Sequence, residues 1–171
     1  MITLGIDPGL SGACAVLDHN GLRAVFDLPT MQIPNVGPDA LVQRKLDGLR
    51  LAGLLRHHIP ASEPVCAVVE AVSAMGGKNN SVTTQGSLLR SLGAIEAVLE
   101  CFRFPLAYAS PVTWKQFYGL IRPKATATER KGASLAKARV LYPGCTEIAR
   151  AKDNNRAEAI LIAHWHMRTT A

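Results

Sequence analysis

The segment ITLGIDPG, residues 2–9, carries the strongest structural signal in this chain. It is a short apolar run with β-branched members that breaks at Pro8 and Gly9, and this pattern predicts a buried β-strand. Asp7 lies at the end of the run, where a buried carboxylate needs a compensating partner such as a metal ion, a hydrogen-bond network or a raised pKa. We therefore predict that Asp7 anchors a metal site on a central strand, and that two later acidic segments meet it there.

The segments around this strand predict an α/β architecture. Residues 12–18 and 22–28 are expected to form the second and third strands, and the tight turns between them predict antiparallel pairing. Residues 65–70 are apolar up to a final carboxylate, as expected of a central parallel strand that is reached by a helical crossover. With a short strand at 105–109, the prediction is a five-stranded mixed sheet, three strands antiparallel and two parallel, flanked by helices on both faces.

Capping signals predict where the helices begin. Asp39 is expected to cap a helix that ends near His57. Its expected apolar side consists of Val42, Leu46, Leu49 and Ala52. The other helices are expected over 81–101, after Ser110-Pro111, from the capping box Thr126–Glu129 to near Pro143, and after Asp153.

Composition indicates a globular protein. The chain has 171 residues, of which 48% are hydrophobic and 19% charged, so we expect a single domain over residues 1–171. No apolar run approaches the roughly 20 residues that span a bilayer, and no signal-peptide pattern precedes the first strand. We therefore expect no membrane partner and a cytoplasmic location, in a bacterial or phage-infected cell.

Positive charge is concentrated in one part of the chain. The net charge is +6, and residues 115–156 contain ten basic but only three acidic side chains. Such a concentration predicts a polyanionic partner. A solvated helical surface without a partner is the alternative.

Acidic residues from three segments are placed where they could meet. Asp7 and Glu70 end strands that a parallel crossover can bring side by side, and Asp153 and Glu158 lie at the start of the last helix. Oxygen ligands of this kind suit Mg²⁺ or Mn²⁺, and two such ions can hydrolyse a phosphodiester bond. We predict that Asp7, Glu70, Asp153 and Glu158 carry catalysis. The alternatives are an N-cap role for Asp153, a solvent-facing Glu158, and purely structural roles for Asp7 and Glu70.

Taken together, these motifs resemble those of Holliday junction resolvases of the RuvC type, within the RNase H-like nuclease superfamily. The resemblance covers nearly the whole chain, and it is as close to a compact phage and prophage branch as to the housekeeping bacterial enzymes. The motifs that carry it are GIDPG at 5–9, Glu70, Gln85-Gly86, SPVTWK at 110–115 and RAEA at 156–159.

The resemblance implies an RNase H-like fold and a homodimer that binds four-way DNA and nicks two opposed strands with the help of Mg²⁺ or Mn²⁺, two ions per site. By position, Asp7, Glu70 and Glu158 would be metal ligands. The family's fourth ligand, an Asp or His, would fall on Asn154, or on Asn155 in an i, i+3 alignment. Either Asp153 takes that role beside Asn154, or the site is weakened.

DNA contacts are predicted from the same resemblance and from the basic segment. The loop after Glu70 is placed like the family's junction-contacting loop, so Met75 is either an apolar wedge between base pairs or part of a surface loop. Trp114 beside Lys115 could stack on bases, but packing against the core is favoured. The predicted DNA-binding residues are Met75, Lys78, Lys115, Lys124, Arg130, Lys131, Lys152 and Arg156.

Three other functions remain open. A junction-binding protein with an inactivated site is kept open by Asn154. An RNA-processing nuclease would share the fold, and a phosphotransferase of the actin-like superfamily would share the Gly-Ile-Asp opening. The chain is short for the two lobes of the last class.

Overall fold

The computed structural model of the chain describes residues 1–35, 37, 39–40, 42–72, 82–121, 123–124 and 126–170. The strands are β1 (Ile2–Asp7), β2 (Ala13–Asp18), β3 (Gly21–Asp27), β4 (Thr30–Gln32), β5 (Arg44–Leu46), β6 (Val65–Glu70) and β7 (Leu106–Ala109). The helices are α1 (Gly48–His58), α2 (Val82–Cys101), α3 (Pro111–Phe117), α4 (Ala127–Leu141) and α5 (Asn154–Thr169), and a 3₁₀ turn covers Thr146–Ile148.

The main sheet has five strands in the order β3-β2-β1-β6-β7. β1 pairs antiparallel with β2, and β2 pairs antiparallel with β3. β6 lies parallel to β1 on its other side, and β7 lies parallel to β6. These pairings confirm the predicted mixed sheet. The tight turns between β1, β2 and β3 give antiparallel pairs, whereas the helical crossovers before β6 and β7 give parallel pairs.

Helices cover both faces of this sheet, as predicted. Side chains alternate along a strand, so Ile2, Leu4 and Ile6 of β1 point to one face, where they pack with α1 and α2. Gly5 points to the other face, where α5 crosses β1 so closely that a Cβ atom on Gly5 would lie 2.2 Å from the carbonyl oxygen of Ala159. The second face is completed by α3 and α4.

The predicted helix over 39–57 is wrong in its first part, because the segment before α1 is not helical at Arg44–Leu46. Arg44–Leu46 is extended and pairs with Thr30–Gln32 in a separate two-stranded sheet, and the Arg44 guanidinium donates to the Thr30 hydroxyl at 2.8 Å. The helix begins only at Gly48, where Asp47, not Asp39, accepts a capping hydrogen bond from the Arg50 amide at 2.9 Å. The short hairpin therefore replaces the first turns of the expected helix.

The buried side of α1 also differs from the expected one. Leu49 is 84% exposed, whereas Leu51 and Leu55 are fully buried. Leu46 is buried as expected, but it is in β5. The expected stripe starts from Val42 and Leu46, which precede α1, so its continuation falls on Leu49 instead of Leu51 and Leu55.

No helix within the described residues is both long enough and apolar enough to cross a membrane.

Candidate active site

Asp7 and Glu70 end neighbouring parallel strands on the same face of the sheet. The register of β1 and β6 pairs Gly5 with Val68 and Ile6 with Val69, so the next positions along are Asp7 and Glu70. Val68 packs in the core on the α5 side, and Glu70, two residues on, points to that side as well. The two carboxylates are therefore brought together by strand register rather than by closeness in sequence.

Glu158 reaches the same place from α5. The close approach of α5 to Gly5 puts the first turns of the helix over the end of β1. Burial raises the pKa of Asp7 well above its usual value, and the negative charges of Glu70 and Glu158 raise it further. Burial also raises the pKa of Glu70. Three carboxylates thus converge where water is largely excluded, which is electrostatically costly without a cation.

Lys115 of α3 supplies a positive charge between two of these carboxylates. Its Nζ atom lies 3.7 Å from Oε1 of Glu70 and 3.4 Å from Oε2 of Glu158. The same ammonium lowers the pKa of both Asp7 and Glu70. The predicted DNA-binding lysine is therefore an ion-pair partner of the acidic residues in this structure.

Two neutral side chains orient the glutamates. The Trp114 indole nitrogen donates to Oε1 of Glu70 at 3.0 Å, and the Ser134 hydroxyl of α4 donates to Oε1 of Glu158 at 3.0 Å. Trp114 is fully buried, in line with the favoured core packing, and Ser134 is buried as well. Both hydrogen bonds were missed by sequence reasoning. The signal for Ser134 is a polar residue next to Leu135 on the buried side of α4.

The carboxylates fit a divalent cation in donor chemistry. Carboxylate oxygens are the ligands of Mg²⁺ and Mn²⁺, and the ammonium of Lys115 already neutralises part of their charge. As the side chains stand, no group of three or more His, Cys, Asp or Glu in the described part of the chain is arranged to hold a metal ion. A metal site at Asp7, Glu70 and Glu158 therefore rests on the chemistry of these ligands and stays a prediction.

Asp153 is engaged elsewhere. It occupies the N-cap position of α5, but its side chain makes no capping hydrogen bond. Its Oδ1 atom instead pairs with the Arg150 guanidinium at 2.7 Å, and its Oδ2 atom accepts from the Arg150 amide at 2.8 Å. Asp153 is only 4% exposed, and hydrogen bonding to Arg150 holds its pKa below the usual value. Its predicted catalytic role stays a prediction.

The two asparagines after Asp153 link α5 to the turn that follows β1. The side chains of Asn154 and Asn155 hydrogen-bond to each other, and the Asn155 amide donates to the carbonyl oxygen of Ser11. Asn154 precedes Glu158 by four residues, so both share one side of the helix. The position of the expected fourth ligand is thus occupied by a neutral amide.

Part of the predicted DNA-binding set lines a cleft beside the acidic residues. Lys115, Arg130 and Lys131 border this cleft, which has a volume of about 370 Å³ and also includes Ser134 and Glu158. The cleft therefore brings three basic side chains next to Glu158.

The rest of the predicted DNA-binding set is dispersed. Lys124 and Lys152 are exposed on the surface. Arg156 forms a two-point ion pair with Asp27, at 2.6 and 2.7 Å, and donates to the carbonyl oxygen of Glu147. Met75 and Lys78 lie outside the described residues.

Comparison with known proteins gives structural matches only. No protein-family model matches this sequence, and no curated protein matches it. The Thermus thermophilus RuvC structure superposes with a TM-score of 0.58 at 17% identity, over 99% of this chain and 97% of the other. T. thermophilus RuvC in complex with a Holliday junction substrate superposes with a TM-score of 0.55 at 14% identity, over 98% and 96%. The likeness establishes the fold, so this chain has the RNase H-like fold of RuvC.

Proposed function

We propose that this protein is a metal-dependent endonuclease that resolves four-way DNA junctions by paired nicks. The observation that carries the proposal is the meeting of Asp7, Glu70 and Glu158 at the ends of β1, β6 and the start of α5, beside a basic cleft. The RuvC fold supports it, because a RuvC of this fold is known in complex with a Holliday junction.

Each part of the site has a task in this reaction. Asp7, Glu70 and Glu158 would hold Mg²⁺ or Mn²⁺, two per site, which when bound activate a water molecule and stabilise the leaving oxygen. Trp114 and Ser134 keep the two glutamates in place by hydrogen bonds. Arg130 and Lys131 bind the phosphate backbone at the cleft.

Paired nicking requires two such sites, so the proposal includes a homodimer. A closed two-fold dimer presents the same site to two opposed strands of a symmetric junction. Light scattering after gel filtration measures the assembly state directly, and a strictly monomeric protein on junction DNA would contradict paired nicking.

The test is a cleavage assay on a mobile four-way junction with Mg²⁺ or Mn²⁺, beside a linear duplex of the same sequence and a structured RNA. We expect symmetric nicks in the junction only, and none with Asp7→Asn. Cleavage of RNA in preference to the junction would favour the RNA-processing alternative. Equal cleavage of linear duplex would remove the structure selectivity.

A second function, junction binding without cleavage, is favoured by the neighbourhood of Asn154. The expected fourth ligand is a neutral amide, and the adjacent Asp153 is held by Arg150. This alternative predicts tight, salt-sensitive junction binding and no nicking by the wild type with metal present. Asn154→Asp and Asn154→His then test whether a charged or basic ligand restores cleavage, and Asn155→Asp tests the i, i+3 alignment of the same ligand.

A further inference from the structure

The ammonium of Lys115 occupies the charge-balancing position among the acidic side chains. It lies within 4 Å of both Glu70 and Glu158, and these two residues come from different elements, β6 and α5. The lysine is placed by its neighbour, because its Nζ atom also lies 4.8 Å from the ring centre of Trp114, which donates to Glu70. One tryptophan therefore contacts both the acid and its counterion.

We propose that Lys115 is a built-in counterion that stabilises the metal-free protein and must be displaced before a divalent cation binds. The inference rests on the proposed metal site, and it concerns what this chain does when that site is empty of metal. Both cations compete for the same carboxylate oxygens, so each disfavours the binding of the other.

The surroundings of Lys115 suit a replaceable cation. The side chain is 29% exposed, so the ammonium can return to water by rotating its flexible stem. The two glutamate side chains are less exposed, at 15% and 14%. Without any cation, these carboxylates and Asp7 would face one another with little water to screen them.

The ammonium takes up the oxygen atoms that a divalent cation would need. Its Nζ atom lies 3.7 Å from Oε1 of Glu70 and 3.4 Å from Oε2 of Glu158. Removal of the lysine leaves the acids without this partner, so a divalent cation should bind more tightly.

The experiment measures Mn²⁺ binding without DNA, by titration calorimetry and by the electron paramagnetic resonance signal of free Mn²⁺. It compares the wild type with Lys115→Met in a mildly alkaline buffer, so that protons do not compete for the carboxylates. Lys131→Met is the matched control, because it removes one lysine charge from the same cleft. We expect Lys115→Met to bind Mn²⁺ about three- to tenfold more tightly, the size expected for losing partly exposed ion pairs. The control should gain less, because Lys131 is a nearby charge for Asp7 whereas Lys115 forms ion pairs with both glutamates.

Thermal unfolding gives a second readout. With chelator present, Lys115→Met should melt below the wild type and below Lys131→Met, and saturating Mn²⁺ should close that gap. Equal or weaker Mn²⁺ binding by Lys115→Met, with a wild type that does bind, would overturn the counterion inference and leave the proposed nuclease standing. Absence of Mn²⁺ binding by the wild type and both variants would overturn the proposed metal site as well.

Discussion

The two faces of the sheet are built from different residues. On the α1–α2 face, large aliphatic side chains fill the space between sheet and helices, among them Ile2, Leu4, Ile6, Leu51, Leu55, Ile95 and Leu99. On the α5 face, many of the residues where the helix meets the sheet are small. They are Gly5, Ala13 and Ala15 of the strands and Ala157, Ala159 and Ala163 of the helix. Large residues keep a helix at a distance, and small ones let its backbone approach the strands.

The difference shows how a fold can separate stability from chemistry. The close approach of α5 is what puts Glu158 beside the strand ends that carry Asp7 and Glu70. The opposite face contributes apolar burial and holds none of these acids. Substitutions on the α5 face should therefore affect nicking, and substitutions on the α1–α2 face should affect mainly the free energy of unfolding.

Asp7→Asn should abolish nicking while leaving the fold intact. The loss should be about a thousandfold or more, because a metal site contributes several kcal/mol to the transition state. Metal-free protein should unfold no more easily than the wild type, since the change removes a buried negative charge that Glu70 and Glu158 disfavour. Junction cleavage and urea unfolding measure the two quantities. A clear drop in the free energy of unfolding would show that Asp7 has a structural role instead.

Leu51→Ala, on the opposite face, should lower the free energy of unfolding and leave nicking intact. Leu51 is fully buried, and truncation of such a side chain lowers the free energy of unfolding by about 2–5 kcal/mol. Nicking per folded molecule should remain unchanged at a temperature where the variant is folded. If nicking activity fell by a larger factor than the fraction of folded protein, the roles of the two faces would not be separable.

Gly5→Ala should affect both properties at once. Its new Cβ atom would lie 2.2 Å from the Ala159 carbonyl oxygen and 2.7 Å from the Ala163 Cβ, so α5 must shift. We expect a loss of about 1–3 kcal/mol in unfolding free energy, as for other overpacked cores, and slower nicking because Glu158 moves with the helix. Gly53→Ala in α1 is the control, because nothing lies within 4 Å of its added Cβ. Wild-type behaviour of Gly5→Ala would refute the close approach.

Ser134→Ala and Ser91→Ala compare two buried serines, one on each side of the sheet. Ser134 donates to Glu158, whereas Ser91 of α2 donates to the carbonyl oxygen of Ser87 at 3.0 Å. A hydrogen bond to a charged group is worth about 1.5–3 kcal/mol, so Ser134→Ala should weaken Mn²⁺ binding or nicking by roughly tenfold. Ser91→Ala should leave both unchanged. Equal effects of the two substitutions on nicking would remove the assigned role of Ser134.

The smallest expected effect distinguishes basic side chains that bind DNA from those that form ion pairs within the protein. Lys131→Gln should lower the slope of log affinity against log salt by about 0.9, the value for one lost phosphate contact. Arg156→Gln should leave this slope unchanged, because its guanidinium is engaged by Asp27. It should instead cost up to about 1 kcal/mol of stability, since Asp27 is largely exposed. A reduced salt slope for Arg156→Gln would return that arginine to the DNA-binding set.

Sequence patterns predicted the five-stranded sheet but missed the separate two-stranded sheet of β4 and β5. The strands ending at Asp7 and Glu70 are apolar runs bounded by turn residues, a local signal that survives in the fold. The hairpin of β4 and β5 was missed because Arg44–Leu46 is short and polar at two of its three positions, so only its partner strand makes it extended. The start of α1 was misplaced for the same reason.

The candidate site shows the same division. Of the four carboxylates predicted from their places at the ends of elements, Asp7, Glu70 and Glu158 lie close enough to interact, and their catalytic role stays a prediction. The ion pair of Asp153 with Arg150 spans three residues, yet it was missed because an N-cap and a paired carboxylate have the same sequence pattern. The sequence neighbours of Arg156 suggested a DNA contact. Its actual partner, Asp27, lies 129 residues away along the chain, so no local pattern could indicate this ion pair.

Local sequence patterns were enough to predict the strands that end at Asp7 and Glu70, the starts of α3 and α4, and the concentration of positive charge in the second half. These properties depend on periodicity, capping and composition, all of which act over a few neighbouring residues. The partners of the charged side chains depend on the folded chain, in which Lys115 lies between Glu70 and Glu158, Asp153 pairs with Arg150, and Arg156 pairs with Asp27. The reason is physical: an ion pair depends on the separation of two atoms in space, which strand register and helix packing set.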